Sequence, residues 1–492
     1  MGNFLDKAIA WISPEAGYRR EIYRQALRER GYDAADHSRL NSNWRASNES
    51  AETTDRYSRD TLRARARDLE RNSDATNAVI SAHKRNVYGA GYRLRVKTGD
   101  EDINSQIEKL WKKWCKARNC DVTGVQSLNE MMRMAVQRKK VDGGILILKR
   151  YTKDGIIPLQ LQCIEVDELD TNYMVPRNKE NKVVGGIEYN SYNKAIGYFV
   201  STYNIDGTIN TEPIYVEAKD VIFWYTKKRP TQIREVSDLS QTLTRIRDLN
   251  EFIKAVSVKE RILACLSVFI KRTQPQPGLG VGGRGVRSED GTRYDYNGKT
   301  VSPGMIMNLN EGDDVETVNP SGQASDATAF SKQHIRMIAA GQGLSYETVS
   351  RDMSESNYSS ARQGAIEDEL TYGEDSEHLI DILTEIYESF VISCVLSGKV
   401  IIKDFWENKD DYLKHKWIKA PKKWIDPKKE AESNEVALRT GQKSWADLAA
   451  EQGRDWKELM DEISEIIEYG NEKGIDMKEV MFGANRKRTE EK

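Results

Sequence analysis

Histidine and cysteine are scarce in this sequence, with five of each in 492 residues. The histidines, His37, His83, His334, His378 and His415, have neither metal-ligand spacing nor a motif relation to a nucleophile. Zinc hydrolysis and Ser-His-Asp chemistry are therefore unsupported, and no catalytic residue, cofactor or metal is expected. The cysteines are odd in number and scattered, which fits reduced thiols better than a disulfide framework. Cys115 and Cys120 are the only close pair, and with no His beside them they read as structural thiols. Long apolar runs are missing too: nothing approaches the roughly 20 residues that span a bilayer. The N-terminal stretch MGNFLDKAIAWISPEAGYRR has no cleavage signal, and Asp6 stands where myristoylation after Gly2 would want Ser or Thr. No membrane association or export is expected.

Nor is there an excess of either charge. The 75 Lys and Arg nearly balance 77 Asp and Glu, for a net charge of −2. A protein that grips many phosphates needs a clustered basic excess, so tight overall nucleic-acid binding is disfavoured. Two nucleotide-binding patterns are present in letter but not in context. Gly278, Gly280 and Gly283 spell GxGxxG, yet they follow a Pro-rich helix end rather than a strand. Gly298, Lys299 and Thr300 spell the end of a P-loop, yet Arg293 stands where its first Gly must be. The serines of DMSESNYSSARQG (352–364) lie in neither GxSxG nor SxxK, which weakens a hydrolase reading.

What is present is periodicity and local charge. Residues 1 to about 76 read as polar helix, and Gly89 and Gly91 turn the helix that follows into a strand. GGILILKR, IPLQLQCIEV, GGIEYN, AIGYFVST and DVIFWYT, between 141 and 226, read as strands of a β-rich domain. One long helix is expected over 236–272, capped by Ser237 or Asp238 and stopped by Pro275 and Pro277. Strands are expected within 301–319 and a helix over about 326–341. A helix from Tyr358 to about Leu396 should bury the stripe Leu379, Leu383, Ile386, Phe390 and Cys394. Gly364 and Gly373 should bend it, each costing about 1 kcal/mol relative to Ala. Residues 428–480 read as a short helical domain. Charge segregates locally: 225–274 holds 11 basic and 5 acidic residues, whereas 345–398 holds 2 basic and 12 acidic.

Three separated blocks, RARDLERNSDATNAVISAHKRNVYGAGYRLR, IAAGQGLSYETVSRDMSESNYSSARQGAIEDE and WIDPKKEAESNEVALRTGQKSWADLAAEQGRDWKELMDEISE, stand in the order of the lambda-type tailed-phage portal proteins, and the chain resembles that family over most of its length. The resemblance implies an α+β fold, an elongated multi-layer subunit in a ring, usually of twelve copies, at one capsid vertex. Its parts would be a wing (1–235 and 399–427), stem helices (236–272 and 326–342), a clip (273–325), a tunnel loop (343–357), a long kinked helix (358–398), a crown (428–484) and a tail (485–492). It also implies that double-stranded DNA passes through the ring. The implied partners are the terminase large subunit, head–tail adaptor proteins, and the major capsid and scaffolding proteins. The protein would reside in the virion, and in the host cytoplasm during assembly. Within this frame Arg351, Asp352, Ser354, Glu355, Ser356 and Asn357 are the candidate tunnel-loop residues. Ser356 or Asn357 should cap the helix that follows, and Arg284 and Arg287 of the clip are candidate contacts to motor or adaptor. The alternatives are another head or tail component, or a nucleotide-dependent DNA enzyme.

Overall fold

The computed structural model describes residues 9, 11–29, 43, 46–210, 212–265, 269–272, 313–316, 324–421 and 427–477. The chain divides into two compact units, Met1–Arg56 and Tyr57–Lys492. The first contains α1 (Pro14–Glu29) and α2 (Ala51–Asp55), the latter capped by Ser50, whose hydroxyl accepts from the Thr53 N–H.

The second unit opens with α3 (Arg59–Asn72) and α4 (Asp74–His83), joined by Ser73, which ends the one and caps the other. After a π-helical turn at Lys84–Tyr88, Gly89 and Gly91 take positive φ values of 58° and 106°, and the chain becomes strand β1 (Tyr92–Val96). Next come α5 (Glu101–Trp114), α6 (Ala117–Cys120) and α7 (Leu128–Asp142). A capping box between Ser127 and Glu130 starts α7, and Gly143, with φ of 89°, ends it. A Cβ at Gly143 would sit 2.3 Å from the Val236 carbonyl carbon, so no other residue fits there without a shift.

β2 (Gly144–Tyr151) is the central strand of a three-stranded antiparallel sheet, between β3 (Leu159–Ile164) and the later β8 (Val221–Tyr225). Between them, β4 (Lys182–Val184), β5 (Ile187–Tyr189), β6 (Ala195–Val200) and β7 (Ile214–Glu217) form a four-stranded antiparallel meander. Successive side chains of β2 point to opposite faces. Ile145 and Ile147 join the helical core, whereas Leu146 and Leu148 join a second core beneath the meander with Ile187, Tyr198 and Val216. A strand covered on both faces reads as an unbroken apolar run, which is why GGILILKR does not alternate.

The helix expected over 236–272 is shorter at both ends. Residues 238–242 form turns, and α8 spans Leu243–Cys265. Phe269–Arg272 is instead strand β9, paired antiparallel with β10 (Asp313–Glu316). The run Val268-Phe269-Ile270 is β-branched and aromatic, and a partner strand settles a pattern that periodicity alone leaves open. Thereafter come α9 (Ala324–Gly341), α10 (Tyr346–Ser350), α11 (Tyr358–Leu396), α12 (Lys409–Tyr412), β11 (His415–Lys419), α13 (Pro427–Arg439), α14 (Trp445–Glu451) and α15 (Trp456–Glu472). β11 returns to pair antiparallel with β1.

α11 is continuous through Gly364 and Gly373, and Leu379, Leu383, Ile386, Phe390 and Cys394 are each at most 1% exposed. Phe390 meets Trp111 and Trp114 of α5 at ring-centroid distances of 5.0 and 5.3 Å, and Trp417 of β11 lies 5.8 Å from Trp111. Two of the indole N–H groups are bonded, Trp114 donating to the Leu159 carbonyl at 2.8 Å and Trp417 to the Thr384 hydroxyl at 3.1 Å. This aromatic cluster fixes the second half of α11 to the β-rich part.

Candidate functional site

The segment 343–357 does not form one open loop. Gly343, with φ of 68°, turns the chain after α9, and its carbonyl accepts from the Thr371 hydroxyl at 2.6 Å. A Cβ at Gly343 would lie 2.8 Å from that same hydroxyl oxygen. α10 follows at once. Buried Asp368 of α11 accepts from the Ser345 N–H at 2.6 Å, the Ser345 hydroxyl at 2.8 Å and the Thr348 hydroxyl at 2.5 Å, and so holds α10 against α11. The tunnel-loop expectation thus contracts to Arg351–Asn357, because Tyr346–Ser350 is helical and bonds from one backbone N–H and two hydroxyls to one carboxylate hold it against α11.

Each residue of the remaining turn has a definite role. Arg351 adopts the left-handed conformation, φ of 57°, and ends α10 with its N–H on the Glu347 carbonyl. Asp352 accepts from the Ser354 N–H at 3.0 Å and the Tyr346 hydroxyl at 3.3 Å. Those bonds, from Ser354 first and Tyr346 after it, hold the Asp352 carboxyl below the usual range. Glu355 pairs with Lys332 and, at 3.7 Å, with Arg336, both on α9. These two cations also stand over the Tyr346 ring, at 5.6 and 5.4 Å from its centroid. Ser356 donates to Glu347 at 2.8 Å. Asn357 is the N-cap of α11: its side-chain oxygen accepts from the Ser360 N–H at 2.8 Å while its own N–H donates to the Ser360 hydroxyl at 3.1 Å. Ser356 therefore braces the turn and Asn357 caps the helix. The exposed residues are Arg351, Met353, Ser354, Glu355 and Asn357.

Farther along α11, at Asp375, lies a buried ionic hub that sequence reasoning did not find. Lys139 of α7 bonds Asp238, just before α8, at 2.8 Å and Asp375 of α11 at 2.5 Å. Gln342 ties the end of α9 to the same place, donating to the Asp238 carbonyl at 3.2 Å and the Thr242 hydroxyl at 3.0 Å. On α3, Arg63 bonds Asp167 at 2.9 Å and Glu235 at 3.2 Å, and Arg67 bonds Asp142 at 2.7 Å and Asp167 at 2.6 Å. Arg234, 1% exposed, makes a two-pronged contact to Glu235 and donates to the carbonyls of Gly185 and Val166. The segments that enter α8 and leave α9, together with α3, α7, α11 and the β-rich part, are thus cross-linked by charges and polar groups buried with partners, an arrangement that specifies geometry more than it adds stability. One signal was readable: Asp368 and Asp375 share the helical phase of Tyr372 and Leu379, so they are carboxylates on a buried stripe.

Arg284 and Arg287 lie outside the described residues, as does the glycine-rich run between Gly278 and Gly285. Among the described residues no cluster of His, Cys, Asp and Glu could hold a metal ion. No described helix is long and apolar enough to cross a membrane. The Cys115 and Cys120 thiols are free, and burial raises both, Cys120 to about 12.

The described residues form a mixed fold of helices and small sheets, with internal ion pairs and a short polar turn at Arg351–Asn357. Residues 37–374 match the family described as phage portal protein, lambda family, and the chain belongs to that family. It is 25% identical over 461 residues to the probable portal protein of Halomonas phage phiHAP-1, covering 91% of this chain and 88% of that one. It is 20% identical to portal protein B of Escherichia phage lambda, covering 82% and 83% of the two chains. Among solved structures it is similar to a chain from the virion of a native gene transfer agent particle, with 12% identity and a TM-score of 0.43 over 79% of this chain and 93% of the other. A chain from the neck of that native particle, computed with C12 symmetry, gives a TM-score of 0.40 at 15% identity, with the same coverage.

Proposed function

We propose that this portal protein assembles as a ring, of about twelve copies by family analogy, at one vertex of the capsid, and that double-stranded DNA passes through it. The family match across 37–374 carries this reading. In this arrangement the β-rich part with β1 and β11 forms the wing, α8 and α9 the stem, Arg351–Asn357 the channel turn, α11 the long spanning helix and α13–α15 the crown. The clip, with Arg284 and Arg287, contacts the terminase large subunit during packaging and adaptor proteins afterwards. The wing meets the major capsid and scaffolding proteins. The protein works in the virion after assembly in the host cytoplasm.

The chemistry of the turn supports passage rather than grip. DNA that slides must not release many counterions at one place, because each phosphate neutralised adds to the barrier for moving on. In the turn Glu355 is paired with Lys332 and Arg336, the exposed polar groups at Ser354 and Asn357 are neutral, and Arg351 is its one exposed cation, too few charges for a many-phosphate grip. Electron microscopy of the purified full chain tests the ring: annular particles with a central hole are expected, and a monodisperse compact monomer overturns it. A packaging assay with Ser354→Asp tests the turn. Rings should form normally while DNA is packaged or retained poorly, and unchanged packaging removes this turn from the channel.

A further inference from the structure

Strand β1 has two unlike faces. Leu94 and Val96 are buried in the core, so the alternate residues Arg93, Arg95 and Lys97 line the other side. In the antiparallel register Leu94 stands opposite Trp417 of the aromatic cluster, while Arg95 stands opposite Lys416 and Arg93 opposite Ile418. One face of the β1–β11 ribbon is therefore core, and the other carries four cations.

The basic face is covered by α14 and α15, and the cover is held mostly by charge. Arg93 bonds both carboxylate oxygens of Glu458 at 2.5 Å. Arg95 lies 3.4 Å from Asp455 and 3.9 Å from Glu458, and Lys457 reaches Glu101 of α5 at 2.9 Å. Asp455 is the N-cap of α15, and Lys457 and Glu458 follow in its first turn, so one helix end carries all of these ties. Apolar burial is slight: among the described residues of 427–477 only Ala437, Leu448, Ala449 and Gly470 are buried. The seam also holds a cavity of about 440 Å³, lined in part by Arg95, Lys97, Lys416, Ile418, Arg454 and Trp456. A close-packed seam would leave no such space.

We infer that α14 and α15 form a cover clasped by ion pairs to the basic face of the β1–β11 ribbon, and that it lifts as a unit when those pairs are screened. Partly exposed pairs such as Arg93–Glu458 and Lys457–Glu101 contribute little singly, so a cover held by a few of them opens far more readily than the rest of the chain. The second half of α11, fixed by buried aromatic rings, does not share that motion. Because the clasp lies within one chain, it holds whether or not the chain forms rings.

Hydrogen exchange of the full-length protein at 0.1 and 1 M sodium chloride tests this, with mass photometry confirming one oligomeric state throughout. Over that range the Debye length shortens from about 10 to about 3 Å. Exchange at 446–451, in α14, should quicken by about fivefold or more, while residues 379–394 of α11 stay unchanged. At 0.1 M salt, Arg93→Glu and Glu458→Arg should each quicken exchange at 446–451 by about fivefold, although neither lies in α14. The double variant Arg93→Glu/Glu458→Arg should recover most of that loss, a restoration that misfolding cannot mimic. Exchange at 446–451 that ignores salt, or a double variant as fast as the two losses combined, overturns the clasp and leaves Leu448 and Ala449 as what holds the cover. Equal quickening at 379–394 also overturns it, because the chain would then be unfolding rather than lifting its cover.

Discussion

Burial pushes the Lys140 ammonium down to about 8, and the attraction of Asp238 offsets only part of that, with Lys139 adding to the push. An unfolded Lys titrates near 10.5. Between pH 8 and 10.5 the unfolded chain therefore holds a proton that the folded chain has lost, and stability rises with pH across that window. Below pH 8 both states are protonated and the full cost of burying the charge stands. Lys140→Met should stabilise the protein at pH 7 by about 3 kcal/mol, the equivalent of the shift. That gain should fade toward pH 10.5. Urea unfolding at pH 7 and 10.5, at one protein concentration, measures it, and an equal gain at both values would show that packing and not charge is responsible. His83, packed among the same groups, is lowered by burial and then by Lys140 and Lys139, so it too opposes stability in acid, where the unfolded chain gains a proton the folded chain refuses. At the start of α11, away from the hub, Asn357→Ala removes the cap and should cost about 1 kcal/mol. Hydrogen exchange should quicken at residues 359–361 there and stay unchanged in the second half of the helix.

At the scale of elements, the Arg351–Asn357 turn is governed by α9. Glu355 offsets one of the two positive charges of Lys332 and Arg336, and Glu355→Gln would make the surroundings of the turn more positive by one charge. If DNA passes there, the variant should bind double-stranded DNA more tightly and lose that affinity more steeply with salt, by about one to two extra counterions in the log–log slope. Filter binding across a salt series reads this, and an unchanged slope would place the pair away from DNA. How much of these elements could be read beforehand depends on where their partners lie. The buried stripe of α11 was legible because helical periodicity is a local property, and β2 because a doubly covered strand is apolar throughout. The end of α8 was not: Phe269–Arg272 becomes a strand only through Asp313–Glu316. Nor was the hub, whose ions lie far apart in the chain, as Lys139 and Asp375 do, and can be joined only by the fold. In the turn, the cap at Asn357 followed from local chemistry, while the ties from Lys332 and Asp368 depended on packing.

At the scale of the whole molecule, the proposed ring ties the stability of each copy to the concentration of the others. A subunit held by its neighbours must lose those contacts before or as it unfolds, so assembly stabilises the folded chain by mass action. If the full chain forms the ring, its thermal midpoint should therefore rise over about a hundredfold increase in protein concentration, as it does for any folded state held by a partner. Differential scanning fluorimetry across that series measures the shift, with mass photometry on the same samples to follow the oligomer. A midpoint that stays fixed while the mass changes from monomer to ring would show that the contacts between copies contribute nothing to holding the fold, and that the subunit's own core and buried ion pairs carry its stability alone.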